Sequence, residues 1–148
     1  RIIGEGCHFV DLLRHIIGYK ITKFNATMIG NVNGVDVRED KATITLSFED
    51  GSFGTIHYLA NGGKTFQKER IEIFCNNSVL QLNNFRTLKG YSWPGFKKMN
   101  LLSQDKGQNA CAQAFVDSIR NNTTSPILYD EIIESSTVSI EIASLLNS

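Results

Sequence analysis

The stretch KATITLSFEDGSFGTIHYLA, residues 41–60, limits the fold more than any other part of the sequence. Apolar side chains alternate with threonine and serine on both sides of the dipeptide Asp50-Gly51. These apolar residues are Ile44, Leu46, Phe48, Phe53, Ile56 and Tyr58. Asp-Gly between two alternating runs is the strongest short signal for a β-hairpin. The segment therefore predicts two antiparallel strands, each with one apolar face.

Helical periodicity occurs toward both ends of the chain. Residues 7–17 carry apolar side chains at helical spacing and are followed by Gly18, a residue that favours helix termination. A second helical pattern covers residues 110–119, and a third runs from Tyr129 to Leu146. We expect the apolar stripe of the third helix to face the core. This stripe comprises Ile132, Ile133, Ile140, Ala143 and Leu146.

Further strands are predicted in the remaining segments. Residues 19–29 mix β-branched and aromatic side chains, which favour a strand. Residues 69–74 and 79–82 predict a second hairpin around Asn76-Asn77-Ser78, which residues 85–91 extend. The segments expected to be irregular are 31–40 and 92–104.

This order of helix, strands and helices predicts an α+β fold. We expect a largely antiparallel β-sheet with helices packed on one face, and the other face open for substrate or dimer contacts. The chain has 148 residues, which is the size of one ordinary domain, so residues 1–148 are expected to form a single domain.

Charge and cysteine content restrict the partners. The 15 basic and 15 acidic residues leave a formal net charge of zero, which does not favour binding to nucleic acid or to an anionic membrane. No apolar run approaches the roughly 18 residues needed to cross a bilayer. The three cysteines have no CxxC spacing, which argues against a disulfide framework and a zinc site. A soluble, cytoplasmic protein without nucleic-acid or membrane partners is therefore expected.

The first predicted helix, in GEGCHFVDLLRHIIG, presents His8, Asp11 and His15 on one side. His8 lies in the first turn, where the helix dipole disfavours the imidazolium form, whereas Asp11 would favour that form and orient the ring. Such opposing influences suit a proton-transfer group. The spacing also fits an ordinary surface pair of Asp11 with Arg14 and a histidine that only caps the helix. A metal site at the three residues is a further alternative, but no other His or Cys pattern supports it, and no metal is predicted.

A cationic loop follows the first hairpin in NGGKTFQKER. Lys64, Lys68 and Arg70 are candidates for binding hydroxyls, a carboxylate or a diphosphate on a sugar substrate. The alternative is a solvated turn without a ligand.

A third set of candidates lies in the irregular segment after the second hairpin. Tyr91, Trp93 and Lys97 offer aromatic stacking and positive charge, which suit recognition of a sugar or nucleotide. The alternative is that these side chains only pack the segment.

The segment GEGCHFVDLLRHIIG, with its Gly-x-His-x-x-Asp pattern and closing glycine, resembles the helix that opens the C-terminal domain of the Gfo/Idh/MocA oxidoreductases. This is the family of glucose–fructose oxidoreductase and inositol dehydrogenase. Later segments resemble the family in the same order, and the resemblance covers essentially the whole chain. These segments are DKATITLSFEDGSFGTIHY, KERIEIFCNNSVLQLNNF, YSWPGFKKMN, QNACAQAFVDSIRNN and SPILYDEIIESSTVSIEIASLL. Three shorter segments, KER, GYSWPGFKK and GEGCH, look most like members found with polysaccharide-biosynthesis genes.

The resemblance implies the substrate-binding and oligomerisation domain of an NAD(P)-dependent oxidoreductase that acts on a sugar, nucleotide-sugar or cyclitol hydroxyl. Family members carry an N-terminal Rossmann domain with a glycine-rich loop and a Glu-Lys-Pro motif whose lysine is catalytic. Neither motif occurs here, and the chain begins at Arg1 without methionine. We therefore expect a piece of a longer protein that lacks its Rossmann domain. Alone, this piece is expected to be inactive and to bind neither NAD nor NADP.

The resemblance also assigns individual residues. The family pattern Asp-x-x-x-His places the catalytic histidine on His8, but its aspartate falls on Gly4. Glu5 lies one residue closer to His8, and Asp11 matches another recurrent position and is expected to hold the imidazole. The catalytic residues implied are thus His8 and Asp11, in a homo-oligomer formed through the sheet. The glycine at position 4 keeps open the alternative of a non-catalytic assembly module.

Overall fold

The computed structural model describes residues 1–31, 33–34 and 36–147. The chain divides into two compact units. The first unit consists of Arg1–Gly62 and Thr124–Ser148, and the second consists of Gly63–Thr123. The second unit therefore interrupts the first in sequence.

The first unit contains two helices and three strands. A π-helical turn, Ile2–Gly6, leads into helix α1, Cys7–Ile17. The strands are β1 (Ile21–Met28), β2 (Lys41–Phe48) and β3 (Phe53–Leu59). They form an antiparallel sheet in the order β1-β2-β3. The last helix of this unit, labelled α3 because it comes third in the chain, spans Tyr129–Asn147.

The Asp-Gly hairpin is confirmed. Strands β2 and β3 pair from Lys41 opposite Leu59 to Ser47 opposite Phe53. The turn between them has Gly51 at φ 85°, a left-handed conformation that glycine adopts at little cost. Gly18 likewise ends α1 at φ 77°, as predicted, and its N–H donates to the Arg14 carbonyl oxygen at 2.9 Å.

One face of this sheet forms the core of the first unit. Alternate residues of β2 are buried, and α1 and α3 pack over them. The buried residues of β2 are Ala42, Ile44, Leu46 and Phe48. The opposite face is open, and on it Thr43 lies beside His57 and Thr45 beside Thr55. The predicted arrangement of helices on one face is therefore confirmed for this sheet.

The predicted apolar stripe of α3 is partly wrong. Ala143 and Leu146 are buried, but Ile132, Ile133 and Ile140 are 46%, 45% and 52% exposed. The apolar residues of this helix lie on several of its sides, so their spacing does not identify the face that is buried. The face that packs instead includes small serines, which allow close approach of the helix. Its buried residues are Ser135, Val138, Ser139, Ile142, Ala143 and Leu146.

The second unit contains a four-stranded antiparallel sheet and one helix. The strands are β4 (Arg70–Cys75), β5 (Ser78–Asn83), β6 (Thr87–Tyr91) and β7 (Lys98–Asn100), in that order. The β4–β5 turn consists of Asn76 and Asn77, at φ 46° and 59°, so Ser78 belongs to the strand rather than to the predicted turn. Strand β7 lies within the segment predicted to be irregular. Helix α2 spans Gln108–Arg120, which confirms the predicted helix there.

The α+β class is confirmed, with the strands divided between two antiparallel sheets. In the predicted turn at 31–40, the described residues form neither helix nor strand, and Val32 and Val35 lie outside the described residues. Among the residues that the structure describes, no helix is long and apolar enough to cross a membrane.

Candidate functional site

His8 is exposed in the first turn of α1, where the π-helical turn meets the α-helix. The π-helical turn has two backbone hydrogen bonds between residues five apart. The Gly6 N–H donates to the Arg1 carbonyl at 3.4 Å, and the Cys7 N–H donates to the Ile2 carbonyl. The fully buried Ile2 anchors this turn in the core. Such π-helical turns are rare and occur frequently at functional sites. The structure thus presents the predicted catalytic histidine to solvent at a fixed point of the backbone.

Asp11 connects α1 to α3. Its side chain is half-buried, and its Oδ1 accepts a hydrogen bond from the Ser135 hydroxyl at 3.2 Å. The sequence did not indicate this partner, because Ser135 lies 124 residues away in the chain. A role for Asp11 in orienting the His8 ring stays a prediction.

Arg14 is the main polar link between the same two helices. Its side chain is only 8% exposed, and its Nε donates to Glu134 Oε2 at 3.0 Å, while its Nη2 lies 3.6 Å from Glu131 Oε1. The other oxygen of Glu134 accepts the backbone N–H of Ile21 at 2.5 Å, so one carboxylate ties α3 to both α1 and β1. Sequence reasoning considered Arg14 only as a surface partner of Asp11. The structure instead buries Arg14 and pairs it with two partly exposed glutamates, which together fix the helix bearing His8.

Glu5, Tyr58 and Phe9 form a second contact between the start of α1 and β3. The Tyr58 hydroxyl donates to Glu5, and its ring centroid lies 6.3 Å from that of Phe9. Burial and then the neighbouring Glu5 carboxylate raise the pKa of Tyr58. At Gly4 an added Cβ would meet nothing within 4 Å, so packing does not prevent a side chain at the position where the family pattern has aspartate.

The second unit has a surface depression of about 430 Å³. It contains the predicted residues Lys64 and Lys68 within the segment 64–69, and three polar residues from outside that loop that the sequence did not indicate: Asn84, Gln104 and Lys106. These three come from the β5–β6 turn and from the segment before α2. They are 14 or more residues beyond the end of the loop NGGKTFQKER, so no local pattern indicated that they would meet it.

The other predicted substrate residues lie outside this depression. Arg70 donates from Nε and Nη2 to Glu72 on the same strand, at 3.2 and 2.5 Å, and these bonds lower the pKa of Glu72. Tyr91 and Lys97 are exposed, whereas Trp93 is half-buried. A substrate-binding role for these four residues stays a prediction.

Trp93 lies close to β6 in the second unit. A Cβ added at Gly90 would lie 2.9 Å from the Trp93 Cβ and 2.7 Å from the Phe96 carbonyl oxygen. The segment therefore folds back closely over β6, an arrangement that matches the packing alternative for Trp93.

The histidines and cysteines are dispersed. In the described part of the chain, no three His, Cys, Asp or Glu side chains are grouped so as to hold a metal ion. His15 is exposed, and His57 Nδ1 lies 3.1 Å from Thr43 Oγ1 on the open face of the first sheet. Cys7 is half-buried, while Cys75 and Cys111 are exposed; all three are free thiols.

Comparison with protein families gives a match over half of the chain. The family of the GFO/IDH/MocA C-terminal domain matches residues 2–81, a range that covers the whole of the first sheet and β4. No protein of curated function matches the sequence.

Solved structures match nearly the whole chain. A dehydrogenase from Chromobacterium violaceum is 12% identical with a TM-score of 0.75, over 99% of this chain and 46% of its own. UDP-N-acetylglucosamine 3-dehydrogenase GnnA from Acidithiobacillus ferrooxidans is 14% identical with a TM-score of 0.71, over 95% of this chain and 44% of its own. The WlbA dehydrogenase from Bordetella pertussis, solved with NADH and UDP-GlcNAcA, is 14% identical with a TM-score of 0.55, over 95% of this chain and 40% of its own. At these identities the likeness establishes the fold alone, and the chain spans less than half the length of each of these proteins.

Proposed function

Because this chain belongs to the GFO/IDH/MocA C-terminal domain family, we propose that it is the substrate-binding and oligomerisation domain of an NAD(P)-dependent oxidoreductase. The substrate is a sugar, nucleotide sugar or cyclitol that reacts at a hydroxyl group, in polysaccharide biosynthesis or related sugar metabolism. Two of the similar structures support this class: one is a UDP-N-acetylglucosamine 3-dehydrogenase, and the other was solved with NADH and UDP-GlcNAcA. The intact protein is assigned to the cytoplasm.

The placement of His8 carries this proposal. His8, to which the family pattern Asp-x-x-x-His assigns the catalytic role, is exposed in the first turn of α1. The buried Arg14 cluster fixes that helix against α3 and β1. In this position the imidazole accepts the proton of the substrate hydroxyl during oxidation and returns it during reduction. Asp11 accepts a hydrogen bond from Ser135 on α3 and thereby holds the turn of α1 that bears the imidazole.

The cofactor is assigned to an N-terminal Rossmann domain of the same polypeptide. Nicotinamide, when bound there, supplies hydride transfer. All strand pairs in the described residues are antiparallel. A parallel βαβ unit, which places a glycine-rich loop under the pyrophosphate, is therefore missing from the described part of this chain. The residues of this chain contribute the substrate side of the reaction, and alone they are expected to be inactive.

The test is a His8→Asn variant of the full-length protein. We expect kcat to fall tens to thousands of fold, because the proton acceptor is lost while the exposed position keeps the fold intact. His15→Asn, an exposed histidine on the same helix, is the matched control and should leave kcat unchanged. Unchanged turnover in the His8 variant would refute the catalytic assignment.

A second candidate function is a non-catalytic assembly module. It is favoured by the bond of Asp11 to Ser135 and by the glycine at position 4, which leaves no acid there. The open face of the first sheet would then pair with a second copy. Thr45→Lys, at the centre of that face, should lower the sedimentation coefficient, whereas Asn61→Lys in an exposed loop should not. If Thr45→Lys changes the sedimentation coefficient while His8→Asn keeps full activity, the domain functions in assembly and not in catalysis.

A further inference from the structure

We propose that the depression in the second unit binds a phosphoryl group, which is carried by the substrate as the diphosphate of a nucleotide sugar or the ester of a sugar phosphate. The identity of the remainder of the ligand as a sugar rests on the proposed function. The phosphoryl site itself rests on the charges and contacts of the second unit.

The depression has an excess of positive charge. Its ionisable residues are Lys64, Lys68, Lys106 and Glu69, which give a formal charge of +2. Within the described ranges, Lys64 and Lys68 make no ion pair with a carboxylate, and both are exposed. Two uncompensated ammonium groups beside one depression repel each other and favour an anion between them.

The third lysine is fixed in place. Lys106 Nζ donates to Glu69 Oε1 and lies 5.6 Å from the centre of the Phe85 ring, so a carboxylate and an aromatic face both hold it. An ammonium group has three N–H donors, and the Lys106 side chain is 37% exposed. It can therefore donate to a ligand without leaving Glu69. One cation held by contacts and two exposed, unpaired cations suit the binding of a doubly charged group.

The backbone under Lys106 is strained. Asn84 and Phe85 have φ values of 50° and 49°, and the left-handed region is costly for a bulky residue such as phenylalanine. The turn is held by the Asn84 N–H, which donates to the Glu69 carbonyl at 2.7 Å, and by Gln104, which donates to Asn84 at 3.0 Å. Residues kept in such conformations cluster at ligand sites. The strain places the Phe85 ring where Lys106 lies over it.

Glu69 is a second unusual feature of the same depression. Its Oε2 is buried and has no hydrogen-bond partner in the described residues, and its side chain is 15% exposed. Buried polar atoms without partners are rare and need an explanation. The other oxygen of this carboxylate accepts a hydrogen bond from Lys106.

The size of the depression indicates more than an isolated phosphate. About 430 Å³ lies within the range of small-molecule sites. Phe66, which is 76% exposed at its rim, offers an apolar face for stacking against a sugar or base. The ligand is therefore a phosphoryl group attached to a larger moiety.

The experiment is calorimetric titration of the protein with inorganic pyrophosphate at low ionic strength. We expect measurable binding that weakens at least tenfold in Lys64→Ala/Lys68→Ala. The matched control is Lys20→Ala/Lys98→Ala, which removes the same charge from exposed lysines elsewhere and should bind as the wild type does.

Further titrations identify the source of the phosphoryl group. Tighter binding of UDP than of glucose 1-phosphate supports a nucleotide diphosphate, and the reverse supports a sugar phosphate. Absence of pyrophosphate binding, or equal weakening in the control variant, would overturn the inference. If His8→Asn keeps full turnover while pyrophosphate still binds, the phosphoryl site stands, and only the claim that its ligand is the substrate is refuted.

Discussion

Arg14→Met tests the polar cluster that fixes α1. Methionine replaces the apolar stem of the arginine and removes its charge, so Glu134, with a side chain 18% exposed, loses its cation. Breaking a buried ion pair by removing one partner costs about 3–5 kcal/mol. We expect the lower end, about 3 kcal/mol, because the Ile21 N–H still donates to Glu134 and because Glu131 is 29% exposed and can turn toward water.

The assay is urea unfolding followed by circular dichroism. A slope of about 1–2 kcal/mol/M converts that loss into a midpoint lower by roughly 1.5–3 M. The only tryptophan, Trp93, lies in the second unit, so its fluorescence follows that unit and serves as an internal control.

A double variant separates the lost pair from general disruption. Arg14→Met/Glu134→Gln no longer leaves an unpaired carboxylate, and the introduced amide still offers an oxygen to the Ile21 N–H. It should therefore be more stable than Arg14→Met alone. A loss below about 1 kcal/mol in the single variant would refute the reasoning. A double variant less stable than the single one would refute it as well.

Two further predictions concern close packing and the Tyr58 hydroxyl. Gly90→Ala should destabilise the second unit by about 2 kcal/mol or more, since its Cβ would lie 2.7 Å from the Phe96 carbonyl oxygen. The control Gly63→Ala should be neutral, because an added Cβ there meets nothing within 4 Å. Tryptophan fluorescence in urea measures both, and equal effects would contradict the close approach at Gly90. Because the pKa of Tyr58 is raised in the folded state, the folded protein keeps the hydroxyl proton at a pH where the unfolded chain has lost it. The contribution of this group to the free energy of unfolding is therefore present below about pH 10 and falls as the pH rises through the folded-state pKa. Tyr58→Phe should remove that alkaline loss, and identical slopes of stability against pH above pH 10 in both proteins would exclude the effect.

The sequence predicted local structure best where a short segment determines its own conformation. Asp50-Gly51 set the register of the first hairpin, and Gly18 ended α1, because each supplies a left-handed residue that the turn requires. At Asn76-Asn77 the same chemistry acted, but the serine that follows was misplaced by one position. Strand β7 was missed because three residues, Lys98–Asn100, carry no periodicity.

Features that depend on distant residues were not predictable. The packed face of α3 was misassigned because isoleucines lie on several sides of that helix, and the packing partner decides which side is buried. The burial of Arg14 follows from two glutamates 117 and 120 residues later in the chain. In the site, the sequence indicated Lys64 and Lys68 but not Lys106, whose position depends on Phe85 in a strained turn.

The interruption of the first unit by residues 63–123 has a consequence for synthesis on the ribosome. Helix α3, which covers the core of that unit and bonds to Asp11 and Arg14, is the last element of the unit to leave the exit tunnel. The second unit is continuous, so it can fold while α3 is still unmade. The first sheet and α1 meanwhile expose an apolar face that has no local partner. Completion of the unit that bears His8 is therefore a late event that needs contacts over more than 100 residues, and such contacts form slowly.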